Sequence, residues 1–332
     1  MKELTIIATM LLSCEEGRED AIMKEKVVTL LSLLLVISLF CAVATVSAEA
    51  GPNFCGLSSE NALVSCYRAA GSDYWLAVGK CNNLSILAER RACKQQALAD
   101  VKDERQSCDD QHHARNAVCK RLGKKPYDPV INPANFVAVI DNPFMPLIPG
   151  TTFIYEGQTA EGLEHEEVFV TSNTKSILGV TCVEVRDTST VNGELVEDTL
   201  DWFAQDTDGN VWYFGENAKQ LAGGLIVGVE GSWTAGVDGA KPGIVMKAHP
   251  AVSDFYRQEF SLGVAEDIAE VVSLTESATV PYGSFTNCLK TEETSPLEPD
   301  ALENKYYAAG IGQVLTVDLV TGDRLELIQI TP

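Results

Sequence analysis

The chain has 332 residues and a formal net charge of −22 at pH 7, with 47 Asp and Glu against 25 Lys and Arg. A chain of this length is long enough to bury the cores of two domains. So acidic a chain is a poor candidate for nucleic-acid binding, which depends on Lys and Arg to neutralise phosphates.

The charge is unevenly distributed along the chain. Residues 51–123 hold ten basic and eight acidic residues, a net charge of +2, whereas residues 124–332 hold eleven basic and thirty-two acidic residues, a net charge of −21. This asymmetry indicates separate units. The predicted segments are an upstream extension and signal peptide (1–50), a Cys-rich helical hairpin (51–123), a Pro-rich linker (124–150) and an antiparallel β domain (151–332).

Residues 27–48 form an apolar run that follows a basic stretch and ends in small residues. This order is typical of a secretory signal, and it predicts cleavage after Ala48 or Ala50 with Met23 as the start of translation. The run is also long enough to span a bilayer, so a retained membrane anchor is the alternative. The expected location is outside the cytoplasm, either periplasmic or extracellular.

Six cysteines between residues 55 and 119 are spaced 11, 15, 12, 15 and 11 residues apart. The segment is rich in Ala, Leu, Arg, Lys and Gln, a composition typical of helices. If two helices fold back on each other, the symmetric spacing places equidistant cysteines face to face, at steps close to whole helical turns. An exported chain favours disulfides. The predicted bridges are Cys55–Cys119, Cys66–Cys108 and Cys81–Cys93.

The hairpin has two further possible features. Gly71-Ser72 is expected to interrupt the first helix. The hairpin is also slightly basic, so it could engage a partner protein of the envelope or pack on the acidic domain.

Residues 151–332 change to short segments with period-two alternation between turn sequences, which predicts a strongly curved or closed antiparallel sheet. The clearest of these segments are the two arms of a β-hairpin at 197–216, which surround an Asp-Gly-Asn turn. Its alternation puts Trp202 on one face and Asp201 and Phe203 on the other. The predicted strands are 152–156, 165–171, 176–187, 194–205, 210–215, 225–234, 243–248, 254–262, 266–275, 284–292, 303–308, 312–319 and 323–330.

The β domain has two cysteines, Cys182 and Cys288. In an exported chain they are expected to pair, and the entropy model gives such a bridge roughly 4–5 kcal/mol of stabilisation.

Several motifs carry a resemblance to a known family. They are PANF at 133–136, NPFMPLIPGTTFIY at 142–155, the 197–216 hairpin, GSWTAGVDGA at 231–240 and KYYAAGIG at 305–312. This combination resembles a family of exported bacterial proteins without an assigned activity. The Pro-Gly-Thr-Thr-Phe first strand and the long meander are also similar, more loosely, to half-barrel lipoprotein carriers of the bacterial envelope. Neither resemblance implies catalytic residues.

A calcium site is one possibility for the turn of the hairpin. Asp206, Asp208 and Asn210 have the spacing of the first three ligands of a calcium loop. The later positions depart from the EF-hand pattern, and the same residues are ordinary turn formers. Calcium is therefore the possible cofactor, with a plain turn as the alternative.

Residues 231–267 contain the candidate catalytic groups His249, Glu259 and Asp267. Histidine and paired carboxylates are the usual general acids and bases. No nucleophile elbow, zinc-protease or phosphate-loop motif accompanies them.

Three functions follow from these patterns. The first is a non-catalytic binding protein that holds an apolar or amphipathic small molecule on a curved sheet. Its expected ligand-binding residues are Trp202, Trp212, Tyr213, Trp233 and Tyr256. The second is a hydrolase or lyase with its site in 231–267. The third is a structural or adhesive envelope protein stabilised by calcium.

Overall fold

The computed structural model describes residues 51–332, and the predicted signal segment lies outside the described residues. Residues 53–332 form one compact unit. Two long helices are followed by a large antiparallel sheet that curves into a nearly closed barrel. The predicted α+β class is confirmed. Within residues 51–332, no helix is both long enough and apolar enough to cross a membrane.

The helical hairpin consists of α1 (Phe54–Asn82) and α2 (Leu87–Leu122). Asn53 caps α1, because its side-chain oxygen accepts a hydrogen bond from the Gly56 amide at 3.1 Å. Gly123 ends α2 with a positive φ of 94°, a conformation that glycine adopts without strain. The expected interruption at Gly71 is wrong. The helix continues through it because tertiary contacts outweigh the weak helix propensity of one glycine.

Three disulfides join the two helices in the order that the symmetric spacing predicts. They connect Cys55 with Cys119, Cys66 with Cys108 and Cys81 with Cys93, with Cα–Cα distances of 5.7, 5.8 and 5.6 Å. A hairpin of two helices has little core of its own, so the bridges hold it together by restricting the unfolded chain. Three such bridges also indicate an oxidising compartment outside the cytoplasm.

The sheet contains seventeen strands, several of them only two or three residues long. A 3-10 turn at Pro133–Asn135 precedes the first strand. The strands are β1 (Phe136–Val137), β2 (Thr152–Gln158), β3 (Leu163–Ile177), β4 (Val180–Val191), β5 (Glu194–Asp206), β6 (Val211–Asn217), β7 (Gln220–Ala222), β8 (Leu225–Gly228), β9 (Trp233–Thr234), β10 (Lys241–Met246), β11 (Phe255–Arg257), β12 (Glu259–Phe260), β13 (Ile268–Val280), β14 (Gly283–Ser295), β15 (Glu298–Ala308), β16 (Gly312–Asp318) and β17 (Arg324–Thr331).

Antiparallel pairing runs almost completely around the barrel. Neighbouring strands pair in sequence from β13 to β17, β17 pairs with β2, and the ladder continues from β2 to β6. Strand β6 pairs with β10, and β10 with β12, while β11 pairs back to β13. This closure leaves few free edges and surrounds an interior.

The predicted hairpin at 197–216 forms from β5 and β6, with Phe203 opposite Tyr213 and Ala204 opposite Trp212. Two predicted strands are wrong, because 225–234 is divided by a turn into β8 and β9 and 176–187 contains a reversal of the chain. Leu178 and Gly179 have φ values of 52° and 81°, and the turn they make divides β3 from β4.

The two faces of the β5–β6 hairpin pack in different hydrophobic clusters. The inner cluster contains Phe203 with the side chains that fill the barrel, such as Val185 and Leu327. The outer cluster contains Trp202, Ala204, Phe214 and Trp233. The alternation of β5 therefore separates an inside face from an outside face, as period two requires.

Cys182 and Cys288 are both free, so the predicted bridge between them is wrong. Each is fully buried, but Cys182 lies in the outer cluster and Cys288 in the inner cluster. Thiols in two different clusters do not meet, and each packs as a small apolar side chain. Burial raises the pKa of Cys182 to about 12 and also raises the pKa of Cys288.

We expect a maleimide to leave Cys182 and Cys288 unmodified in the native protein, because both thiols are buried and protonated. Unfolding in guanidinium without reductant should then label both, as peptide mapping would show. The six hairpin cysteines serve as the internal control, since they should stay unlabelled until reductant is added. A 182–288 crosslinked peptide in the unreduced digest would contradict the structure.

The hairpin packs on the β domain through ion pairs. Arg115 in α2 and Glu266 form a bidentate pair with N–O distances of 2.9–3.0 Å, and both side chains are buried. Arg121 pairs with Glu270 on β13, and the guanidinium carbon of Arg121 lies 3.7 Å from the ring centroid of Phe255. The basic end of the hairpin thus meets the acidic domain directly.

Candidate functional site

The barrel interior holds a cavity of about 430 Å³. Alternate residues of neighbouring strands point into it, because side chains on a strand face one side at every second position. Glu164, Glu166 and Val168 of β3 follow this rule, as do Glu303, Lys305 and Tyr307 of β15.

The lining of this cavity is amphipathic. Apolar side chains, among them Leu147, Phe153, Val168, Phe203 and Leu325, cover part of the wall. The charged groups of the lining are six carboxylates and one amine. They are Glu164, Glu166, Asp187, Asp201, Glu293, Glu303 and Lys305.

Lys305 neutralises only part of this charge. Its Nζ lies 3.0 Å from an oxygen of Glu293 and 3.9 Å from one of Glu303. Burial would raise the pKa of Glu293, but the charge and hydrogen bond of Lys305 and hydrogen bonds from Thr291 and Gln258 outweigh it, and the pKa is lowered. The Lys305–Glu293 pair is therefore ionised, and the remaining carboxylates of the lining have no comparably close cation among residues 51–332.

Glu166 and Asp187 are two carboxyl groups of the first cavity whose pKa values are both raised. Burial raises the pKa of Glu166 to about 7, and it raises that of Asp187 well above its usual range, with a further contribution from the charge of Glu166. The charge of Glu166 disfavours the ionisation of Asp187, so one group keeps its proton when the other is charged. The pair thus holds a proton near neutral pH.

Asp201 is the third carboxylate with a raised pKa in the first cavity. Burial raises its pKa to about 7, although the hydroxyl of Tyr213 donates a hydrogen bond to it. Tyr213 is fixed by its neighbours: its ring stacks on Phe203 at 4.7 Å and meets Trp233 edge to face at 5.4 Å. The β5–β6 hairpin therefore positions an acid and a phenol on the same wall.

A second cavity of about 310 Å³ shares Glu293, Glu303 and Lys305 with the first. Its own carboxylates are Glu216, Glu259 and Asp267. The indole N–H of Trp233 donates to Glu259 at 2.8 Å. The two cavities together form a continuous acidic lining, referred to below as the acidic interior: Glu164, Glu166, Asp187, Asp201, Glu216, Glu259, Asp267, Glu293, Glu303 and Lys305.

The carboxylates of the second cavity also resist ionisation. Burial, followed by the charges of Asp201 and Asp267, raises the pKa of Glu216 to about 8. Burial, followed by the charges of Asp267 and Glu216, raises the pKa of Glu259 well above its usual range. Asp267 is exposed to the cavity, but the surrounding protein still desolvates it and raises its pKa as well.

The structure separates the three candidate catalytic residues. Glu259 and Asp267 line the second cavity together, and the charge of Asp267 contributes to the raised pKa of Glu259. His249 is exposed in the loop after β10 and does not line either interior cavity. Glu259 and Asp267 can therefore contact the same bound molecule, whereas His249 cannot reach a molecule in that cavity.

The five expected ligand-binding residues also occupy different places. Tyr213 lines the first cavity, whereas Tyr256 is packed in the inner cluster beside it. Trp202 and Trp233 are buried in the outer cluster, and their edges line a surface depression with Lys175. Trp212 is half-buried against Phe136. Of this set, only Tyr213 lines the first cavity.

The residues of the expected calcium loop have turn-forming roles in the structure. The carboxylate of Asp206 accepts hydrogen bonds from the amides of Asp208 and Asn210 at 3.0 and 2.8 Å and from the Trp212 indole at 2.8 Å. The side-chain oxygen of Asn210 accepts from the Ala248 amide at 3.0 Å. Within residues 51–332, no group of three or more His, Cys, Asp or Glu is arranged to hold a metal ion.

Sequence reasoning missed most of the acidic interior, including Glu164, Glu166, Asp187, Glu303 and Lys305. A signal for them exists. On β3 and β5 the acidic residues share the inward face, at every second position, with apolar residues: Glu164 and Glu166 precede Val168, and Asp201 precedes Phe203. An acidic residue at an inward position of a strand is unusual, and that is the sign of a polar cavity.

Comparison with known proteins gives little further information. No protein-family model matches the chain, and no curated protein matches it. A solved structure from Parabacteroides distasonis, described as a putative lipoprotein, aligns with 57% of this chain and 98% of its own length at 14% identity, with a TM-score of 0.32. This likeness is too low to carry a functional argument.

Proposed function

We propose that this is an exported, non-catalytic binding protein, periplasmic or extracellular, whose barrel interior holds a small amphipathic molecule that carries a protonated amine. The observation that supports the proposal best is the lining of the first cavity. It combines an apolar wall with six carboxylates and a single lysine in about 430 Å³, a size within the usual range of ligand pockets.

The charge of the lining favours a cationic ligand. Carboxylates that are buried without a cation hold their protons, as the raised pKa values of Glu166, Asp201 and Glu216 indicate. A bound amine would offset their desolvation and form charge-assisted hydrogen bonds with them. Binding should therefore lower these pKa values and release protons.

The shared cavity of Glu259 and Asp267 favours a second candidate, a hydrolase that uses the pair for acid–base chemistry. A carboxyl group with a raised pKa keeps a proton near neutral pH and can act as a general acid. Mass spectrometry of a co-purified molecule, before and after incubation with the protein, distinguishes the candidates, because a hydrolase would convert that molecule to hydrolysis products.

Decylamine is a suitable probe, because it has one ammonium group and an apolar chain. At pH 8 we expect saturable binding by isothermal titration calorimetry, at least roughly tenfold weaker in the double variant Glu166→Gln with Asp201→Asn, which corresponds to about 1.4 kcal/mol or more. Titrations in buffers of different ionisation enthalpy at pH 7 should show proton release. Affinity should rise from pH 6 to pH 8 as the carboxylates ionise.

Glu167→Gln is the matched control, since Glu167 is the outward neighbour of Glu166 on the same strand and is exposed. It should bind decylamine as the wild type does. Native mass spectrometry of protein purified from its own envelope should in addition show a bound small amine. The proposal fails if the folded wild type binds no amine, or if the double variant and the control bind equally well.

A further inference from the structure

A third cavity, of about 350 Å³, lies outside the barrel, where the hairpin meets the sheet. It is lined by the start of α1, the end of α2, the connector that follows α2, and the segment around β11 and β12. It shares no lining residue with the two interior cavities. Nothing in the proposed function uses it.

Arg257, at the end of β11, is the group that makes this cavity unusual. Its side chain lines the cavity and is only 7% exposed. Its Nη1 atom is buried without any hydrogen-bond partner. The salt bridges of residues 51–332 involve Arg115, Arg121, Arg186 and Arg324, but not Arg257. A buried guanidinium without a carboxylate is rare, because its charge is costly to desolvate.

The neighbours of Arg257 do not satisfy it. Its guanidinium carbon lies 4.4 Å from the ring centroid of Phe260 and 5.6 Å from that of Tyr127, so both rings stabilise its charge. Aromatic faces, however, offer no oxygen to the five N–H donors of a guanidinium. The carboxylate in the same cavity, that of Glu266, is engaged by Arg115 in a bidentate pair.

The rest of the lining supplies both charge and apolar surface. Lys125 is a second cation of the lining that has no carboxylate partner there. The charged side chains of this cavity therefore carry a net positive charge, although the protein as a whole is strongly acidic. Four large apolar side chains that are 38–53% exposed line the same cavity: Phe54, Leu57, Leu122 and Leu262. Exposed apolar side chains gathered at one cavity are typical of a binding site.

We propose that this cavity binds an anionic amphiphile. A carboxylate or phosphate group accepts hydrogen bonds from Arg257, and an apolar chain lies against Phe54, Leu57, Leu122 and Leu262. The planar fork of the guanidinium suits both oxyanions. The ligand is opposite in charge to that of the acidic interior, and the two sites share no lining residue.

Titration calorimetry of the full chain with its disulfides intact tests this site, with decanoate, decyl phosphate and decanol as probes. Decanoate, decyl phosphate or both should bind with one-to-one stoichiometry, and decanol at least tenfold more weakly. Arg257→Gln should weaken anion binding at least tenfold. Arg324→Gln, which removes a half-exposed arginine of β17 that does not line the cavity, should leave anion binding unchanged. The tighter of the two anions identifies the headgroup class.

Leu57→Asp and Lys125→Glu provide a second route if Arg257→Gln does not fold, since both residues lie at the exposed surface. Each should weaken decanoate binding at least threefold. Glu166→Gln should leave it unchanged, whether or not the barrel binds an amine. The proposal is overturned if neither anion binds the folded wild type, if decanol binds as tightly as they do, or if a folded Arg257→Gln retains full affinity. The last result would leave Arg257 a purely structural role between its two aromatic neighbours.

Discussion

Replacement of Arg115 by alanine is expected to lower the free energy of unfolding by about 3–5 kcal/mol. Arg115 is 5% exposed and Glu266 is 1% exposed, and the two side chains form three close N–O contacts. Without Arg115, the Glu266 carboxylate would remain buried with only the Gly263 amide as a hydrogen-bond donor. Urea denaturation followed by circular dichroism would measure the loss.

Arg121→Ala is the matched control, because Arg121 also joins α2 to the sheet, but its pair with Glu270 is largely exposed. Its cost should be at most about 1 kcal/mol. The double variant Arg115→Met with Glu266→Gln should lose less stability than Arg115→Ala alone, since Glu266 is then no longer a buried charge without its partner. Equal costs for Arg115→Ala and Arg121→Ala would show that the buried pair is not what anchors the hairpin.

The stability of the protein is expected to fall as the pH rises from 5 to 8, by at least about 2–3 kcal/mol, which is the contribution of a single carboxyl group with a pKa of about 7. Folding raises the pKa of Glu166 and Asp201 to about 7 and that of Glu216 to about 8. The folded protein therefore holds these protons more tightly than the unfolded chain. This contribution is complete below the unfolded pKa of about 4 and is lost as the pH rises through 7–8.

Urea denaturation at several pH values would measure this dependence. The double variant Glu166→Gln with Asp201→Asn should flatten the profile and be more stable than the wild type at pH 8. Glu161→Gln, at an exposed residue outside the acidic interior, should keep the profile of the wild type. His165 acts in the same direction, because its carboxylate neighbours Glu156 and Glu167 raise its pKa despite desolvation, so His165→Gln isolates its share. A free energy of unfolding that increases with pH would contradict the conclusion that ionisation of these carboxyl groups destabilises the folded protein.

The helical hairpin could be predicted closely because the spacing of its cysteines along the sequence is enough to define how its two helices pair. The symmetric spacing of six cysteines around one turn leaves a single antiparallel arrangement in which all of them meet, and the structure has that arrangement. Cys182 and Cys288 lacked such a constraint. Their positions in two different clusters depend on the curvature of the sheet, which no pair of residues reveals.

The acidic interior was harder to predict for a related reason. Alternation shows which side chains share a face of one strand, but not which face becomes the inside of a barrel. That choice is made when distant strands pair, as β17 does with β2. The aromatic residues expected to bind the ligand therefore lie on different sides of the sheet. Trp202 and Trp233 are in the outer cluster, whereas Tyr213 lines the first cavity.

The pairing of β17 with β2 also affects the order of assembly. The strand at Arg324–Thr331 completes the ring beside Thr152–Gln158, more than 160 residues earlier in the chain. A chain secreted N-terminus first must hold an open, unsealed sheet until that strand emerges, and contacts so distant in sequence form slowly. The disulfide-bridged helices need only their own residues and can form earlier, so we expect the pairing of β17 with β2 to be the last step of folding.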